Sequence, residues 1–128
     1  MKILTILLLF FMSLAAFDWP SEYDEAIVEA KAQNKDIYLF IGSESCPYCT
    51  KMKENVFSDK ELMEKLKQKY VYLYLSRDGF DDIPEEFETK PVPRHYFLDK
   101  TGKVIYTTIG GRSVEGFYEM LEEVEDNR

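Results

Sequence analysis

Both cysteines of this chain fall in one short stretch, Ser43-Glu44-Ser45-Cys46-Pro47-Tyr48-Cys49-Thr50. Two thiols separated by two residues offer three chemistries. They can cycle between dithiol and disulfide, supply part of a metal site, or staple the fold. The staple is the weakest reading, because so small a loop restricts the unfolded chain little and contributes little stability. A metal site is incomplete, because two thiolates fill half of a tetrahedral zinc shell. The single histidine, His95, lies far along the chain and reads as a partly exposed strand residue. A redox pair needs no further ligand, no metal and no cofactor, and that is the chemistry expected here.

The flanking sequence gives the two sulfurs different tasks. Ile37-Tyr38-Leu39-Phe40-Ile41 is an unbroken apolar run of strand length, as in a central strand buried on both faces. Gly42 and Ser43 end it. Pro47 follows Cys46, and proline favours the first position of a helix, so Cys46 becomes the N-cap. Cys49, Met52 and Val56 continue at helical spacing. A thiol at a helix N-terminus meets the positive end of the dipole and unpaired N–H groups, which favour thiolate. Cys46 is therefore the expected nucleophile, and Cys49, one turn inside, the resolving thiol. Lys51 and Lys53 add positive charge from the solvent side.

The remaining elements follow from patterning. Ser21 to Ala32 reads as a helix capped by Ser21, with Tyr23, Ala26, Ile27 and Ala30 on one face. Ser58-Asp59-Lys60-Glu61 reads as a capping box opening a helix with Leu62, Met63 and Leu66 inward. Tyr70 to Leu75 is a strand. Ser76 to Asp82 is a polar loop, and its acids Asp78, Asp81 and Asp82 lack the spacing of a calcium loop. Pro84 to Glu88 is expected as one helical turn with Phe87 inward. Arg94 to Leu98 and Val104 to Thr108 form a hairpin around Asp99-Lys100-Thr101-Gly102. Ser113 caps a last helix with Phe117, Met120, Leu121 and Val124 inward. The order implies an α/β fold: a mixed four-stranded sheet with helices on both faces, its first half parallel and its hairpin antiparallel.

With 128 residues the chain holds one domain. Its formal net charge of −8 argues against nucleic acid as a partner, since phosphate binding needs a basic face. The N-terminus differs in kind from the rest. Met1-Lys2 precedes a short apolar run ending in small residues, which reads as a signal peptide over 1–15 cleaved after Ala15, with the folded domain at 16–128. An uncleaved membrane anchor is the alternative. Export makes the compartment periplasmic.

Three stretches, "YLFIGSESCPYCTKMKENVFSD", "KPVPRHYFLDKTGK" and "GGRSVEGFYEML", resemble the thioredoxin-like family over roughly Trp19 to Val124. The likeness is nearest to exported members related to the soluble reducing domain of the transmembrane disulfide reductase, and the Cys-Pro-Tyr-Cys tetrapeptide is that of glutaredoxins. The resemblance implies a thioredoxin fold and a thiol–disulfide oxidoreductase. It makes Pro93 the cis-proline facing the cysteines, with Pro91 the lesser candidate. It gives Val92 backbone groups for an extended substrate segment and sets Tyr48 at the cleft edge. It also implies protein disulfides as substrates, a membrane or periplasmic electron donor and a monomer. A bacterial periplasm holds no glutathione buffer, so glutathione is not the expected donor.

The chain departs from thioredoxin at three positions. Ser45 stands where thioredoxins have tryptophan. Phe40 stands where they bury an acid six residues before the first cysteine, and Glu44, the nearest acid, is expected to be exposed. Arg94 replaces a small hydroxyl residue after the proline. Reduction is the expected direction, because no large inserted helical domain of the kind found in the periplasmic oxidase fits the length. Oxidase or isomerase activity, and a non-enzymatic module holding Cu(I) or a peptide, are the alternatives.

Overall fold

A computed structural model describes residues 17–79 and 81–128. The signal peptide expected over 1–15 lies outside the described residues. The elements run α1 (Tyr23–Gln33), β1 (Asp36–Gly42), α2 (Pro47–Asn55), α3 (Lys60–Lys69), β2 (Tyr70–Ser76), β3 (Arg94–Leu98), β4 (Val104–Ile109) and α4 (Val114–Asp126). The sheet order is β2-β1-β3-β4. β1 pairs parallel with β2 and antiparallel with β3, and β3 pairs antiparallel with β4. This is a thioredoxin fold.

The apolar run of β1 explains its place. Ile37 through Ile41 are all fully buried, so the strand is covered on both faces. One face carries Tyr38, Phe40, Tyr74 and Phe97 under α2, α3 and α4. The other carries Ile37, Leu39, Ile41, Leu73 and Leu98 under α1 and the segment reaching Phe87. Phe17 and Trp19 extend the first face, and the Pro20 carbonyl accepts from Tyr74 N–H beside β2.

Two helix starts differ from expectation. α1 begins at Tyr23 with Glu22 at the N-cap and no side-chain cap. Ser21 lies one residue too early, because the preceding backbone is still running alongside β2 at Pro20. α3 is capped by Asp59, whose carboxylate accepts from Leu62 N–H at 2.9 Å. Ser58 instead donates to the Glu54 carbonyl at the end of α2, closing one helix rather than opening the next. Pro84 to Glu88 forms a turn, with Phe87 N–H donating to the Pro84 carbonyl, rather than a helical turn. Phe87 does point inward, between Tyr23 and Tyr96. Ser113 caps α4 as expected, accepting from Gly116 N–H.

Candidate active site

Cys46 and Cys49 are joined as a disulfide at the N-terminus of α2, their Cα atoms 5.2 Å apart. Cys46 is the N-cap in extended conformation, Pro47 occupies the first turn, and Cys46 Sγ accepts from Cys49 N–H at 3.1 Å. The first turn carries no acidic residue to oppose a thiolate there. Exposure separates the two sulfurs: Cys46 is 8% accessible and Cys49 is fully buried. An incoming sulfur reaches Cys46 first. The asymmetry follows from helix geometry, since residues at and before the first turn flank the helix axis while the fourth faces the sheet.

The loop before the cysteines is tied down at one point. Asp78 accepts from the Ser43 hydroxyl at 2.8 Å and from Glu44 N–H at 2.7 Å. These hydrogen bonds, the Glu44 one foremost, hold the Asp78 carboxyl below its ordinary range. Glu44 itself is exposed, as expected. Asp81 accepts from Ser76 N–H, so the acids of this loop pin backbone ends. Among the described residues no three His, Cys, Asp or Glu side chains gather as a metal site would.

Both Lys90–Pro91 and Val92–Pro93 are cis. The β1–β3 ladder ends at Ile41↔Arg94, so Pro93 immediately precedes the β3 residue paired near the end of the strand that leads to Cys46. Val92 packs against the cluster that contains both cysteines. Arg94 points elsewhere: it pairs with Glu88 at 3.0 Å and donates to Thr107. Tyr48 is 63% exposed, and its ring lies against Gly111. It borders an open groove of about 420 Å³ whose floor includes Met52, Val56 and Val114. Lys51 reaches over the Tyr48 ring, whereas Lys53 is half-buried and lies 4.0 Å from the centre of the Tyr74 ring. Lys53 thus covers part of the core rather than standing free in solvent.

His95 corrects the sequence reading most clearly. It is fully buried rather than partly exposed. Its Nε2 lies 2.8 Å from the Gly110 carbonyl, so that nitrogen carries the proton, and the Tyr38 hydroxyl donates to Nδ1 at 2.6 Å. Burial lowers its pKa to about 4. Gly110 N–H in turn donates to the Pro93 carbonyl at 2.8 Å, and Arg112 donates to the Gly110 carbonyl. His95 is therefore a neutral strut joining the cis-proline loop to the Gly110-Gly111 turn. One histidine inside an aromatic strand carried no sign of this, because its partners come from β1 and from the end of β4.

The thioredoxin-like domain family matches residues 23–125, and the chain belongs to that family. A thioredoxin from Thermus thermophilus superposes with TM-score 0.67 at 26% identity, covering 87% of each chain. A DsbH oxidoreductase superposes with TM-score 0.67 at 21% identity, covering 89% of this chain and 88% of that one. Spermatogenesis-associated protein 20 of Rattus norvegicus is 31% identical over 72 residues, 56% of this chain and 9% of its own length. The chain thus spans about a tenth of that relative.

Proposed function

We propose that this protein is an exported thiol–disulfide oxidoreductase that reduces disulfides in other proteins. The observation that carries the reading is the asymmetric pair, a rim-accessible Cys46 at a helix N-cap bonded to a fully buried Cys49. In the reduced protein, Cys46 thiolate attacks one sulfur of the substrate disulfide and the other substrate sulfur leaves as thiolate. Cys49 thiolate then attacks Cys46 Sγ. The Cys46–Cys49 bond forms, the bond from Cys46 to substrate breaks, and two electrons have passed to the substrate. Val92 and Pro93 frame the cleft on one side of Cys46 and Tyr48 on the other; an extended substrate segment pairs with Val92 backbone. An electron donor at the membrane or in the periplasm restores the dithiol to a monomeric protein delivered by the leader at 1–15.

The test is reduction of a protein disulfide with dithiothreitol as donor. Cys46→Ser is expected to abolish it, and Cys49→Ser to accumulate a mixed disulfide on Cys46. A Cys46→Ser protein that reduces substrate at the wild-type rate ends this reading. Direction is read from the potential of the pair: near −270 mV supports reductase, and near −120 mV supports oxidase.

A further inference from the structure

Behind Cys49 lies one polar atom without a partner. The Tyr74 hydroxyl is sealed from water and makes no hydrogen bond among the described residues. Tyr74 as a whole is 8% exposed, so more than nine-tenths of it is buried. Its ring stacks on Phe40, meets Phe17 edge-on and is capped by Lys53. These contacts fix where the hydroxyl points. A methyl group placed on Gly42 would lie 3.3 Å from the Tyr74 hydroxyl oxygen and 3.3 Å from Cys49 Sγ. Hydroxyl and sulfur converge on the space that a side chain at Gly42 would fill.

A buried O–H without an acceptor is costly, so an acceptor is to be sought in another state of the molecule. A disulfide sulfur is a weak acceptor; a thiolate is a strong one. Phe40, standing where thioredoxins bury an acid, is the register partner of Tyr74. The two positions together hold a ring and a phenol, with no carboxylate.

We propose that on reduction the Tyr74 hydroxyl donates a hydrogen bond to Cys49 Sγ and stabilises it as thiolate. The inference deepens the functional reading above and rests on it. In the mixed disulfide, Cys49 thiolate held by Tyr74 attacks Cys46 Sγ. The Cys46–Cys49 bond forms and the Cys46–substrate bond breaks. The electron pair leaves on the substrate sulfur, which takes from water a proton equal to the one Cys49 gave up to water. Tyr74 keeps its own proton throughout. Because the bond exists only in the reduced state, it favours the dithiol form and makes the pair more oxidising.

The experiment equilibrates the full protein in glutathione buffers and measures the constant for reduction of the Cys46–Cys49 disulfide. Tyr74→Phe keeps the ring and removes the donor. It is expected to shift the constant about tenfold toward the disulfide, which is about 30 mV for a two-electron couple. Gly42→Ala puts a methyl 3.0 Å from Tyr74 Cε2 and 3.3 Å from both the hydroxyl and Cys49 Sγ, so the ring must move off, and it is expected to shift the constant the same way; it carries the test if Tyr74→Phe does not fold. Tyr72→Phe, on the same strand against Trp19, is expected to stay within twofold of wild type. Constants within twofold of wild type for both Tyr74→Phe and Gly42→Ala, or a shift toward the dithiol, overturn the proposal. A wild-type pair that never exchanges with glutathione overturns the functional reading as well, so the two failures are told apart.

Discussion

Two tyrosine hydroxyls are buried under the same face of the sheet, one on β1 and one on β2. Tyr38 donates to His95, which donates on to Gly110, and every polar atom along that line is paired. Tyr74 donates to nothing among the described residues. Both sit among aromatic rings, so packing does not distinguish them. What differs is the neighbour: an imidazole whose acceptor is the same in both redox states, against a sulfur whose acceptor strength depends on electrons. A satisfied buried hydroxyl holds a structure in place. An unsatisfied one beside a redox centre is where a second state of the molecule shows itself.

The largest effect that sharpens this contrast is acid. The His95 pKa of about 4 lies below the ordinary 6.5. Between those values the unfolded chain binds a proton on this ring that the folded one does not. Stability is therefore full above pH 6.5 and is lost as pH falls toward about 4, by about 3 kcal/mol. Urea midpoints of the oxidised protein across that range read the slope, and a His95→Asn variant is expected to flatten it. Next is Tyr38→Phe, which leaves the His95 Nδ1 acceptor buried and unpaired. It is expected to cost about 2 kcal/mol in urea unfolding without moving the glutathione equilibrium. Smallest is the stability effect of Tyr74→Phe. Removing a hydroxyl that bonds to nothing in the oxidised state is expected to leave the unfolding free energy within about 1 kcal/mol, or to raise it. A large loss there would erase the contrast between the two tyrosines.

The parts of the site that the sequence disclosed are the local ones. Pro47 after Cys46 placed the thiol at a helix N-cap, and the apolar run before it placed the helix behind a buried strand. The cis bond before Pro93 agreed with the family resemblance, while the cis bond at Pro91 did not stand out from it. Caps were legible only to the nearest capable residue, since Ser58 and Asp59 can each cap and the Glu54 carbonyl decides between them. His95 and Tyr74 were illegible for a common reason. Each depends on what neighbouring strands bring alongside, and strand patterning reports burial without reporting partners. The departure at Phe40 was visible; that its cross-strand neighbour is the phenol of Tyr74 needed the register of β1 with β2.

The hydrogen bond from Gly110 N–H to the Pro93 carbonyl has a consequence for anyone recombining this domain with its relatives. It welds the loop before β3 to the turn after β4, and His95 and Arg112 both donate to the Gly110 carbonyl of that turn. Those segments are separate in sequence but a single component in space. A chimaera that imports a foreign cis-proline loop without residues 110–112 is joining half of a hinge plate to the wrong door.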